Sequence, residues 1–263
     1  METPLTQKSK IEVRILPDLE ALSREAGALL VELANDSIAS KGRFVVALSG
    51  GVTPRRMYSL LGGTPFRDQV DWGRVHFFWT DERCVPEGDE ASNFKRADDL
   101  FLSKVLVPKE NIHRMKGEEE PAKAAEDYER EIREFFGKPG YPNFDLVLLG
   151  LGEDGHTASL FPESESLHEK RKLVIPIYLK RPSLNRITLS LPVLNSAKDV
   201  LFLVAGESKV PIIRKVLGEG GHKESYPAGL IQPVNGKVTW LIDQEAASKL
   251  ITPLYSPLKL RGE

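Results

Sequence analysis

Cysteine is almost absent from this chain. Cys84 is the single one, so no intrachain disulfide can form. The fold must be held by burial and hydrogen bonding, and a reducing compartment such as the cytoplasm is the expected location. A basic excess is absent too: 36 Lys and Arg stand against 38 Asp and Glu, for a net charge of −2. That excludes the electrostatic footprint of a non-specific nucleic-acid binder. No stretch approaches the ~20 consecutive apolar residues a membrane-spanning helix needs. The opening METPLTQKSKIEVRI lacks the apolar run of a signal peptide. The five histidines stand singly, at positions 76, 113, 156, 168 and 222, with no H-x-x-x-H pair or cysteine cluster to suggest zinc. Neither a G-x-S-x-G elbow nor a G-K-[ST] phosphate loop occurs, which removes the serine-hydrolase and P-loop readings. Neither cofactor nor metal is expected, and no nucleic-acid or membrane partner; monomer and small homo-oligomer stay open.

What is present is ordinary for a globular protein: 263 residues, 41% hydrophobic and 28% charged, enough for a large core. Leu19, Leu22, Ala26, Leu29 and Leu33 recur at steps of three and four, which predicts an amphipathic helix from Leu19 to about Ala39, stopped at Lys41-Gly42. RFVVALSGG reads as a buried strand entering a glycine turn, with Pro54 at the first position of the next helix, PRRMYSLL. RVHFFWTDER predicts one strand ending in charge. Ser92 or Asn93 caps a helix running through ADDLFLSKVL. PAKAAEDYEREIREFF is a further helix and FDLVLLG a further strand. KLVIPIYL and RITLSL follow as strands, then DVLFLVAG, the helix ESKVPIIRKVL, the strand KVTWLID and the helix QEAASKL; GEGGHKESYP reads as a surface loop. Strands and helices mostly alternate, and several strands are continuous apolar runs. The expected fold is α/β, a mainly parallel sheet flanked by helices on both faces in a single Rossmann-like domain over residues 1–263.

In such a sheet ligands sit beyond the carboxyl ends of the strands. Four of those ends carry unusual chemistry: SGGVTP (Ser49 to Pro54), TDER (Thr80 to Arg83), GEDGH (Gly152 to His156) and AGESK (Ala205 to Lys209). SGGVTP joins a strand to a helix start, where glycines admit a close ligand and free N–H groups favour an anion such as phosphate. The alternative is a plain strand-to-helix turn. Arg83 and Lys209 are the positive donors a phosphate wants, or else solvated surface charges. His156 is either a general base facing a pocket or a structural histidine in a tight turn, and Asp154 stands where it could orient the imidazole or a substrate hydroxyl.

Gly150, Gly152 and Gly155 also spell G-x-G-x-x-G, the dinucleotide pattern. That reading needs a helix opening at the third glycine and an acidic residue ~20 positions on. HTASLFP does not begin a helix, because Pro162 interrupts it, and the following strand ends in Lys180-Arg181. The dinucleotide reading fails its context.

Taken in order, ALSGGVTP, FFWTDERCVPEGDEASNF, DLVLLGLGEDGHTASLFP, NRITLSLPVLNSAKDVLFLVAGESK and PAGLIQPVNGKVTWLID resemble the 6-phosphogluconolactonase family, over roughly Phe44 to Ala247. The resemblance implies one α/β domain related to sugar-phosphate isomerases and deaminases. It implies hydrolysis of 6-phospho-D-glucono-1,5-lactone to 6-phosphogluconate, the second step of the oxidative pentose phosphate pathway. His156 would be the base that activates water, assisted by Asp154 or Asp81. Gly50, Gly51, Thr53, Asp81, Arg83, Arg186 and Lys209 would bind the substrate, most of them at its phosphate. Two positions depart from the pattern. Val52 stands where the family often has serine, and Lys180-Arg181-Pro182 replaces a common Lys-Pro-Pro, which leaves Lys180 without an assigned role.

Two other functions fit the same fold. A glucosamine-6-phosphate deaminase or isomerase would share the phosphate loop and the D-G-H corner. Such enzymes read D-E-[YW] where this chain has Asp81-Glu82-Arg83. They also read H-I-A-F-N-E-P where this chain has His156 to Pro162, and Phe161 then stands in the place of their glutamate. A non-catalytic sugar-phosphate sensor would usually carry a DNA-binding segment, whereas the first forty or so residues read as one short strand and one helix, without a helix-turn-helix pair.

Overall fold

The computed structural model describes residues 10–137, 139–180, 184–218 and 223–250. In chain order the strands are β1 (Lys10–Leu16), β2 (Phe44–Leu48), β3 (Val75–Trp79), β4 (Asp81–Arg83), β5 (Leu146–Leu149), β6 (Val174–Ile177), β7 (Arg186–Leu189), β8 (Asp199–Val204) and β9 (Lys237–Asp243). The helices are α1 (Leu19–Lys41), α2 (Pro54–Leu61), α3 (Asn93–Leu100), α4 (Pro121–Phe136), α5 (Leu191–Leu194), α6 (Val210–Leu217) and α7 (Gln244–Ala247). Six strands form one sheet in the order β1-β9-β8-β5-β2-β3, every pair of them parallel.

The continuous apolar runs have a simple cause. Successive side chains of a strand point to opposite faces, and both faces are covered. Val45 and Ala47 enter one core while Phe44, Val46 and Leu48 enter the other; Val147 and Leu149 part from Leu146 and Leu148 in the same way. Helices α1 and α2 cover one face with Leu22, Ala26, Leu30, Met57 and Leu61. Helices α4 and α6 cover the other with Tyr128, Ile132, Ile212 and Ile213.

Three expectations need correction. The run RVHFFWTDER is two strands. The chain leaves the parallel sheet at Thr80, and Asp81–Arg83 joins a small antiparallel sheet in the order β4-β7-β6. That sheet puts Val174, Ile187 and Leu189 into the same core as α4, so one face is covered partly by strands. The helix after Ser92 stops at Leu100, because Phe101 has φ −140°, ψ −65°, outside the helical region. The stripe of α1 is rotated from the predicted one: Leu22, Ala26, Leu30 and Ala34 are buried, Leu19 is exposed, and Leu29 and Leu33 are only partly buried.

The ends of α1 follow local rules. Asp18 accepts the Ala21 N–H at 2.8 Å, and Gly42 closes the helix at φ 82°, a conformation that costs any other residue more. At the amino edge of the sheet, buried Asp145 accepts from Lys41 at 2.5 Å, from Lys198 at 2.9 Å and from the Val45 N–H at 2.9 Å. This pins β2 and β5 at one end and leaves their opposite ends to form loops.

Candidate active site

The carboxyl ends of β2, β3, β5 and β8 lie on one edge of the parallel sheet, and the loops leaving them line a cavity of about 800 Å³. Gly50, Gly51, Thr53, Asp81, Arg83, Asp154, His156, Arg186 and Lys209 all line it. Residues at 49, 81, 154, 186 and 209 are thus brought together by topology alone.

The glycine loop after β2 is held from below. Fully buried Tyr58 on α2 donates its hydroxyl to the Ser49 carbonyl at 2.7 Å, and its burial pushes the phenol pKa up. Gly51 takes φ 92°, which only glycine adopts without strain. Among the described residues the N–H groups of Gly50, Gly51 and Val52 donate to no backbone acceptor, so they are available to an anion at the start of α2. Val52 is exposed and apolar at the cavity wall, so this position offers no hydroxyl.

Two guanidinium groups face the same space. Arg83 donates from Nη1 to the Ala91 carbonyl at 2.8 Å, and its buried Nε has no acceptor among the described residues. Arg186 also has a buried Nε without an acceptor, and its nearest carboxylate oxygen, Asp81 Oδ2, lies 3.9 Å from Nη1. Burial lowers the Arg186 pKa, partly offset by the Asp81 charge. Buried N–H groups normally find partners. Two guanidinium side chains and Lys209 in one lining are the chemistry of an anion site.

Asp81 is buried. Its Oδ2 accepts from Ser159 Oγ at 2.6 Å, and its carbonyl accepts from Asn93 Nδ2 at 2.9 Å. Glu82 turns the other way: it accepts the N–H groups of Arg83 (2.7 Å), Asn93 (2.7 Å) and Phe94 (2.8 Å), and burial pushes its pKa up. It fastens β4 to the start of α3 and presents nothing to the cavity.

The G-E-D-G-H turn closes on itself. Gly152 N–H donates to the His156 carbonyl at 2.9 Å, and Gly155 takes φ 88°. His156 Nδ1 lies 2.5 Å from Asp154 Oδ1, which also accepts the His156 N–H at 3.0 Å. A carboxylate can only accept, so it holds the proton on Nδ1 and leaves Nε2 as the basic nitrogen. Burial raises the Asp154 pKa, but the His156 N–H, charge and side chain together carry it below the usual carboxylate range. The glycine spacing has a steric cause: a Cβ on Gly152 would stand 2.1 Å from His156 Nδ1, and one on Gly155 would stand 2.5 Å from the Tyr226 ring. Phe161 packs against His156 with ring centroids 4.9 Å apart.

Of the two carboxylates considered as partners of His156, Asp154 is the one in contact; Asp81 is tied to Ser159. Lys180 is exposed and does not line the cavity, and Arg181 and Pro182 lie outside the described residues. Sequence reasoning missed Asp243, which accepts the Gly206 N–H at 3.0 Å and so anchors the turn before Lys209. Its signal was the charged end of KVTWLID. It also missed the link from Ser159 to Asp81, 78 residues away, and read Asn93 only as a possible helix cap. Among the described residues, no group of three or more His, Cys, Asp and Glu is arranged to hold a metal ion, and no helix is long and apolar enough to cross a membrane.

A family model described as glucosamine-6-phosphate isomerases/6-phosphogluconolactonase matches residues 17–240. A 6-phosphogluconolactonase of Nostoc sp. is 37% identical over 244 residues, covering 92% of this chain and 99% of that protein. Among solved structures, the crystal structure of devB protein superposes with a TM-score of 0.84 at 33% identity, covering 92% of this chain and all of that one. The 6-phosphogluconolactonase of Trypanosoma brucei superposes with a TM-score of 0.79 at 28% identity, covering 93% of this chain and 99% of that one.

Proposed function

Since the chain belongs to the family of glucosamine-6-phosphate isomerases and 6-phosphogluconolactonases, we propose that it hydrolyses 6-phospho-D-glucono-1,5-lactone to 6-phosphogluconate. The observation that carries this reading is the His156–Asp154 pair, 2.5 Å apart, in the same cavity as the side chains of Arg83 and Arg186. One side of the cavity offers a base, the other an anion site.

His156 Nε2 takes a proton from water as the water oxygen bonds to the lactone carbonyl carbon. The tetrahedral adduct then breaks its bond to the ring oxygen, which leaves as a hydroxyl with the proton held on the imidazolium. The lactone carbonyl is already electrophilic, so no covalent enzyme intermediate is needed. General base catalysis of this kind contributes ~10²–10⁴-fold. Asp154 keeps Nδ1 protonated and stabilises the imidazolium. Arg83, Arg186, Lys209 and the N–H groups of Gly50, Gly51 and Thr53 hold the 6-phosphate, which fixes the carbonyl beside the base. Asp81, with Ser159 on one oxygen, accepts from a sugar hydroxyl.

A deaminase reading has less support. The residue in the place of the deaminase glutamate is Phe161, which packs on His156 and cannot transfer a proton. The test uses the purified chain, freshly prepared lactone and a chelator. Acid release above the spontaneous rate, lost in His156→Ala, is the expected result. Turnover unchanged in that variant would sink the base assignment, and ammonia release from glucosamine 6-phosphate would favour the deaminase.

A further inference from the structure

Asn93 stands behind the anion side of the cavity and touches two parts of it. It is the first residue of α3 and only 1% exposed. Its Nδ2 donates to the Asp81 carbonyl at 2.9 Å and reaches the Asp81 carboxylate Oδ1 at 3.4 Å. Its Oδ1 is turned toward the glycine loop, where a Cβ on Gly50 would stand 1.9 Å from it. That oxygen is buried and accepts no hydrogen bond among the described residues.

The amide has little freedom. Glu82 accepts the N–H groups of Asn93 and Phe94, so the start of α3 is fixed. Rotating the amide by half a turn would set its oxygen against the Asp81 carbonyl, two acceptors face to face. Asn93 therefore fills the space between Gly50 and Asp81, and close-packed contacts of this kind pass small displacements on. A buried carbonyl without a donor is a cost, and native structures keep few of them. Here the cost falls on the backing of a loop in which the N–H groups of Gly50, Gly51 and Val52 meet no backbone acceptor among the described residues.

We infer that Asn93 is a positioning residue that couples the Gly50–Thr53 loop to the Asp81 carboxylate. An anion seated on the loop presses Gly50 against the amide, and the amide sets the direction in which Asp81 accepts a substrate hydroxyl. With Ser159 on Oδ2 and Asn93 at Oδ1, the carboxylate plane is held on both sides. The inference rests on the lactonase reading for the identity of that hydroxyl, though not for the loop contact.

Two variants and one double variant test it. Asn93→Ala removes both contacts; it is expected to lower kcat about tenfold and to weaken binding of inorganic phosphate severalfold, by calorimetry. Combined with Asp81→Asn it should lower kcat no further, because both changes disable one unit. Asn93→Asp keeps the shape but sets a carboxylate against Asp81. The donor returns only when one of the two carboxyls is protonated, so its deficit relative to the parent should shrink as the pH is lowered. Multiplicative losses in the double variant would overturn the coupling, as would Asn93→Asp matching the parent at every pH. Absence of lactone turnover in the parent would count against the lactonase reading instead, and the phosphate measurement still decides the loop contact.

Discussion

At the scale of single residues, the candidate site is built from clearances as much as from functional groups. Gly152 is a glycine because the imidazole of His156 lies where its side chain would be. Gly152→Ala is therefore expected to push the proposed base off the attack line and lower kcat by ~10²-fold, while inorganic phosphate still binds, a contrast that calorimetry and a rate assay measure together. Asp154→Asn removes the acceptor that keeps the Nδ1 proton in place. An amide can donate to Nδ1 and reverse the tautomer, so kcat should fall at least ~10-fold with KM nearly unchanged. Arg83→Ala should act on KM, since the proposed phosphate contact, made equally in ground and transition states, would be lost from both.

At the scale of elements, what positions these residues is the parallel sheet. Its strands read as unbroken apolar runs because both faces are buried, and α1 was legible because its apolar repeat and its stop are local, with Gly42 in the left-handed region. The break at Thr80 was not legible. Nothing in RVHFFWTDER marks the point where the chain changes sheets, because the partner of Asp81–Arg83 is Arg186–Thr188, some hundred residues away. The rotated stripe of α1 has the same origin: which of two neighbouring leucines turns inward depends on the sheet beneath. Leu148 lies at the centre of the sheet and is fully buried. Leu148→Ala should cost ~2–5 kcal/mol in urea unfolding.

At the scale of the whole molecule, the two ends of the sheet do different work. The carboxyl edge holds the cavity. Near the opposite edge His76 is stacked with His113, its Nδ1 3.2 Å from His113 Nε2, while His113 Nδ1 meets Glu131 at 2.6 Å. Burial first, then the charges of His113 and Arg43, lower the His76 pKa to about 4 from an ordinary 6.5. Between these values the unfolded chain binds the proton that the folded one refuses. Stability from this group is thus complete above the ordinary value and declines as the pH falls toward about 4. Urea midpoints measured against pH should show that decline, and His76→Gln should flatten it.

The order of residues alone was enough for the α/β class, most of the strands and helices, and the four chemically unusual strand ends, because these depend on periodicity, on caps and on glycine within a few residues. It also supplied every side chain proposed for binding and catalysis. Tertiary structure alone put Arg83 and Arg186 into one cavity, tied Asp81 to Ser159 and not to His156, and set Asn93 in the gap between Gly50 and Asp81. Those facts are distances between segments far apart in the chain, and such distances exist only once both cores have closed around the sheet.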